Sequence, residues 1–162
     1  MNILGVDPGK SGGIAVVRIA NNEIPKIVKA MKMPTLIVNT KKIIDIISLN
    51  NHLKDISINI AVIEKAHAMP RQGVTSSFQF GRSYGAVESL CQMITSRIDY
   101  VSPSVWKKAM GLSSSKQASL DLAKLKFGDE KFWDIKSNDG IAEAALICLF
   151  WIERFNKKID IK

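Results

Sequence analysis

Apolar residues fall in short, separated runs along the chain, and their period changes from run to run. Residues 2–7 (NILGVD) and 13–20 (GIAVVRIA) are apolar or β-branched and are split by PGKSGG, a turn composition, so they predict a hairpin. Residues 24–33 predict a third strand after the Asn21-Asn22 turn, which makes an antiparallel meander. Over residues 40–49, the spacing of Ile43, Ile44 and Ile47 predicts a crossover helix. Residues 57–64 (SINIAVIE) are apolar almost throughout, as in a central strand covered on both faces. Residues 65–75 hold Pro70 and Gly73 among polar neighbours and predict a loop. Helical periodicity returns over residues 78–94, with Gly81, Gly85 and Ala86 on one stripe. A short strand over 98–101 and a helix from Pro103 through Met110 follow. Ser113 to Ser115 cap a basic helix to Lys126, and Asn138 caps a long final helix ending near Phe155.

This order predicts an α/β fold in one domain over residues 1–162. Short connections pair the first three strands antiparallel, and the right-handed crossover rule sets the later strands parallel to the first. The expected architecture is a ribonuclease H-like mixed five-stranded sheet with helices on both faces. In such a sheet the first and fourth strands are neighbours. Asp7 then lies at the end of the first strand and Glu64 at the end of the fourth.

Charge narrows the function. Lys and Arg outnumber Asp and Glu by 23 to 15, for a formal net charge of +8 and a pI near 9.6, so a polyanionic partner is expected. No apolar run approaches the ~20 residues of a membrane span, and Met1 leads straight into a strand, so no membrane role is expected. Cys91 and Cys148 sit on apolar helix faces without metal-ligand spacing and read as buried hydrophobes in a reducing compartment. A cytoplasmic location, in a bacterial or phage-infected cell, is the expectation.

Against that basic background, Asp7, Glu64, Asp139 and Glu143 interrupt apolar surroundings in GVDPG, AVIEKAH and SNDGIAEAALIC. Each has a plainer reading. Asp7 before Pro8-Gly9 can open a turn, Glu64 can pair with Lys65 or Arg71, and Asp139 can cap its helix. Glu143 is either an exposed helix residue or faces a polar cleft. Asp139 and Glu143, four apart, share one helix face with Cβ atoms ~5–6 Å apart. Together the acids form a set of hard oxygen donors suited to Mg²⁺. Phosphodiester cleavage needs an activated water and a neutralised transition state, which carboxylate-held divalent ions supply. The loop from Lys65 to Phe80 adds Lys65, His67, Arg71, Gln72 and Phe78, cations and an aromatic ring placed to hold phosphates and meet unstacked bases. Phe80 reads as core. Arg82, Lys107, Lys108 and Lys116 complete the expected DNA-binding set. The three tryptophans, Trp106, Trp133 and Trp151, read as packing residues.

The blocks LGVDPGKSGGIAVV, VIEKAHAMPRQGVTSSFQFGRSYGAVES, VSPSVWKKAMGLSSSK and NDGIAEAALI resemble the RuvC family of Holliday-junction resolvases, its short phage and prophage branch in particular. The resemblance spans nearly the whole chain and rests on the order and spacing of the blocks. It implies a homodimeric endonuclease that uses Mg²⁺, with Mn²⁺ able to substitute and two ions per active site. Such an enzyme nicks two strands of a four-way DNA junction symmetrically. By the same resemblance Asp7, Glu64, Asp139 and Glu143 are catalytic metal ligands. Lys116 matches a lysine that the family places near its active site. One departure stands out: bacterial members commonly carry two aspartates three apart on the last helix, whereas here the spacing is four and the second acid is Glu143. Two rival readings are a less selective branched-DNA endonuclease, cutting flaps and three-way forks, and a non-catalytic junction-binding protein on the same fold.

Overall fold

A computed structural model of the chain describes residues 1–20, 23–66, 73–113, 115–128 and 131–155. Five strands, β1 (Asn2–Asp7), β2 (Gly13–Arg18), β3 (Lys26–Lys32), β6 (Ile60–Glu64) and β7 (Ile98–Val101), form one mixed sheet in the order β3-β2-β1-β6-β7. The β1–β2 and β2–β3 pairs are antiparallel, and the β1–β6 and β6–β7 pairs are parallel. This is the ribonuclease H-like layout that the order of elements predicts.

The helices are α1 (Ile46–Leu53), α2 (Val74–Ile94), α3 (Pro103–Ala109), α4 (Lys116–Phe127) and α5 (Asp139–Phe155), with two 3₁₀ turns, Lys131–Asp134 and Lys136–Asn138, before the last. Alternate strand residues separate two cores. Ile3, Ala15, Val17 and Val62 pack with Trp106, Leu120 and the buried length of α5, whereas Leu4, Val6, Ile14 and Ile63 pack with Leu49, Leu53, Val87 and Leu90 of α1 and α2. Because side chains alternate along a strand, one strand feeds both layers. Pro103 opens α3, where its missing N–H costs nothing.

One expected element is corrected. Residues 40–49 do not form a single helix: Thr35–Val38 (β4) and Lys41–Ile44 (β5) make a separate two-stranded hairpin, and α1 begins only at Ile46. Asn39 and Thr40 both have positive φ, 46° and 66°, the turn geometry that matches the twist of a two-residue hairpin. Asp45 then caps α1, its Oδ1 accepting from the Ser48 N–H at 2.9 Å. Ile43, Ile44 and Ile47 therefore belong to two elements, and their helix-like spacing arises across the junction. Boundaries move elsewhere too. Strand β3 starts at Lys26, after Pro25, rather than at residue 24, and α2 starts at Val74, so Phe78 lies inside it.

Glycines bring α5 against β1. A Cβ on Gly5 would stand 2.0 Å from the Ala144 carbonyl oxygen, and one on Gly140 would stand 2.5 Å from the Gly12 Cα. The helix can sit this low on the sheet only because both side chains are missing. The contact fixes the first turn of α5 beside the turn that follows Asp7.

Candidate active site

Asp7 ends β1 and Glu64 ends β6, each one residue past the last registered pair of these parallel strands, Val6 and Ile63. The start of α5, held by the Gly12–Gly140 contact, adds Asp139 in its first turn and Glu143 one turn on. Glu143 is the half-buried exception in a helix whose residues from Gly140 to Ile152 are otherwise buried. The acids sense one another. Burial pushes the Asp7 carboxyl up to about 6, with Glu143 and Asp139 adding to the rise while the Gly9 N–H opposes it. Burial likewise pushes Glu64 up to about 7, with Asp7 and Glu143 adding and the Trp106 hydrogen bond opposing.

Protein groups hold the acids in place. Trp106, fully buried, donates its Nε1–H to Glu64 Oε1 at 2.7 Å. Lys107 Nζ pairs with Glu143 Oε1 at 2.7 Å, and the Ser119 hydroxyl donates to the same oxygen at 3.1 Å. Lys107 also stands 5.3 Å from the Trp106 ring centroid. Lys116, the first residue of α4, pairs with Asp139 Oδ2 at 2.8 Å and is otherwise exposed. Asp7 Oδ1 accepts from the Gly9 N–H at 3.1 Å.

Lys107 and Lys116 pair with Glu143 and Asp139, whereas Asp7 and Glu64 form no ion pair among the described residues. Partly buried charge of this kind is costly unless a cation joins it. The donors are all hard oxygens, the chemistry that Mg²⁺ takes, and an ion that keeps several of its waters needs few protein ligands. The residues fit such a group, although among the described residues no three of these side chains are drawn close enough to hold an ion as they stand.

The other candidates are distributed more widely. Lys108 is exposed at the end of α3, Arg82 is exposed on α2, and Lys65 is exposed directly after Glu64. Phe78 is 64% exposed on α2, while Phe80 is half-buried with its ring 6.4 Å from that of Tyr84. His67, Arg71 and Gln72 lie outside the described residues. Lys107, expected to meet DNA, has its ammonium on Glu143. Sequence reasoning missed the hydrogen-bonding role of Trp106, although a buried indole N–H must find an acceptor. It also missed Lys10, Lys41 and Lys42, which with Asp7, Asp139 and Lys116 line a cleft of ≈ 630 Å³. Lys10 was within reach of inspection, three residues after Asp7 in the PGKSGG turn.

No family model matches the chain, and no curated protein is similar to it in sequence. The likeness is one of fold, and the fold is that of the ribonuclease H-like resolvases. RuvC of Thermus thermophilus in complex with a Holliday junction substrate matches with a TM-score of 0.66 at 14% identity, over 95% of this chain and 96% of that one. Another Thermus thermophilus RuvC structure matches at 0.65 and 14% identity with the same coverage. The yeast mitochondrial Holliday junction resolvase Ydc2 matches at 0.60 and 14% identity, over 98% of this chain and 80% of that one.

Proposed function

We propose that this chain is a metal-dependent endonuclease that resolves four-way DNA junctions by paired, symmetric nicks. The observation that carries the reading is the set of mutually interacting acids Asp7, Glu64, Asp139 and Glu143, of which Asp7 and Asp139 line a cleft of ≈ 630 Å³. The RuvC fold around it, one example of which is bound to a Holliday junction substrate, supplies the choice of substrate.

In this reading the four acids hold Mg²⁺, or Mn²⁺ in its place, two ions per site. When bound, these ions lower the pKa of water and neutralise charge that develops on the phosphoryl oxygens. The chain's own groups do the rest. Trp106 fixes the orientation of Glu64, and Lys107 with Ser119 fixes Glu143. Lys116, on an exposed and flexible arm, can leave Asp139 for the phosphate and offset its charge. Lys65, Arg82 and Lys108, with His67, Arg71 and Gln72, meet backbone phosphates, and the exposed Phe78 ring stacks on a base at the branch point. A two-fold homodimer places two such sites on opposed strands.

The test is incubation of the protein with end-labelled four-way, three-way, flap and linear duplex DNA, with Mg²⁺ or with EDTA. Metal-dependent nicks at symmetric positions, confined to the four-way substrate, are the expected result. Equal cutting of flaps and forks would replace it with a general branched-DNA nuclease, and binding without nicks would leave only a junction-binding protein.

A further inference from the structure

We propose that the β4–β5 hairpin is a phosphate clamp, in which Lys41 and Lys42 hold a backbone phosphate of the strand in the carboxylate cleft, next to the phosphate that is cut. The inference rests on the nuclease reading above and adds an element which that reading does not use.

Three observations converge on it. First, the hairpin shares a cleft with the acids: Asp7, Asp139, Lys41 and Lys42 all line the same ≈ 630 Å³ space. With Lys10 and Lys116 on the rim as well, four ammonium groups line the cleft against those two carboxylates. The acids alone would repel a polyanionic strand. The lysines reverse the sign, as a cleft that admits phosphate requires.

Second, Lys10, Lys41 and Lys42 form no ion pair among the described residues, unlike Lys107 and Lys116, which the carboxylates already hold. Their charge remains available to a ligand. Lysine ammoniums are compact point charges that bind phosphate without reading sequence, which suits an element touching the backbone.

Third, the protomer's packing does not account for the hairpin tip. Its two strands pair only with each other and stand apart from the five-stranded sheet. Ile44 at its base is buried, but Ile37, opposite Lys42 in the register, is 77% exposed. The turn holds Thr40 at φ 66°, an unfavourable position for a β-branched residue. That strained two-residue turn puts both lysines at the tip, directly after it.

The experiment compares the parent with the Lys41→Ala/Lys42→Ala double variant and with a Lys54→Ala/Lys131→Ala control, whose exposed lysines do not line the cleft. Affinity for four-way DNA is measured over a salt series with Ca²⁺, and thermal midpoints confirm that all three proteins fold alike. The slope of log affinity against log salt should drop by about one in the hairpin variant, because the two lysines share one phosphate, and stay parental in the control. Ethylation of single phosphates should reveal one position beside the cut where modification blocks the parent and no longer affects the hairpin variant. A parental slope together with a parental ethylation pattern in the hairpin variant would overturn the clamp while leaving the nuclease reading intact. If the parent itself does not retain branched DNA at low salt, that reading falls and the clamp falls with it.

Discussion

Trp106 and Lys107 are adjacent in sequence, yet each restrains a different acid, Glu64 and Glu143. Trp106→Phe keeps the buried ring and removes the donor that lowers the Glu64 pKa. Hydrogen bonds to charged groups are worth about 1.5–3 kcal/mol. The acidic limb of the nicking profile should therefore move to higher pH while DNA affinity in Ca²⁺ stays parental; an unmoved profile would reduce Trp106 to packing. A second prediction concerns the buried acids. Their folded values, about 6 for Asp7 and about 7 for Glu64, lie above the ordinary 3.8 and 4.5. A raised folded pKa contributes stability that is complete below the unfolded value and lost as pH rises through the folded one. The parent without divalent ions should match Asp7→Asn/Glu64→Gln in stability near pH 4 and fall below it by a few kcal/mol near pH 8. Mg²⁺ should close that gap. Urea unfolding of both proteins across this range, with and without Mg²⁺, checks it, and parallel curves would refute it.

At the scale of elements, the close seat of α5 on β1 decides where half of the acids stand. Gly5→Ala would set a Cβ 2.0 Å from the Ala144 carbonyl oxygen, which is backbone and cannot turn aside. The helix must lift, at a cost of about 3 kcal/mol or more. The expected outcome is a large drop in urea midpoint, and in any folded fraction a loss of nicking that exceeds the loss of DNA binding. Local pattern explains why the strands were legible and the hairpin was not. Runs such as GIAVV and INIAVI carry the period of their element in a few residues. Residues 35–44 carry a turn of Asn39 and Thr40, without the glycine that normally marks a two-residue hairpin, so nothing local announced it.

At the scale of the molecule, the outer face of α2 is left open. Val74, Phe78, Gly81 and Gly85 recur three or four apart, Val74 is 87% exposed, and a Cβ added at either glycine would meet nothing within 4 Å. Ser83, Val87, Leu90 and Cys91 are the residues that α2 buries against its own sheet. Ala86, expected with the two glycines, instead borders a crevice with Ile43 and Ile44. The glycine stretch of this face, Gly81 and Gly85, suits close approach of a second copy while Phe78 stays free for DNA, and symmetric nicking needs two sites. The protein should sediment as a dimer at micromolar concentration, and Gly85→Arg should yield a folded monomer that no longer makes paired nicks. A monomeric parent with junction cleavage intact would reject the dimer.

Pattern along the chain was enough to place the strands of the central sheet, the long buried helix, and Asp7 and Glu64 at neighbouring strand ends. Periodicity and turn chemistry are local, so they are readable without coordinates. Which groups serve those acids emerges only from the folded chain. Trp106 reaches Glu64 across 42 residues and Lys107 reaches Glu143 across 36, while the hairpin lysines arrive at the cleft through a turn with no sequence signature. These pairings follow from how closely α5 and the loops settle on the sheet, and that depends on contacts between glycines and backbone far apart in the chain.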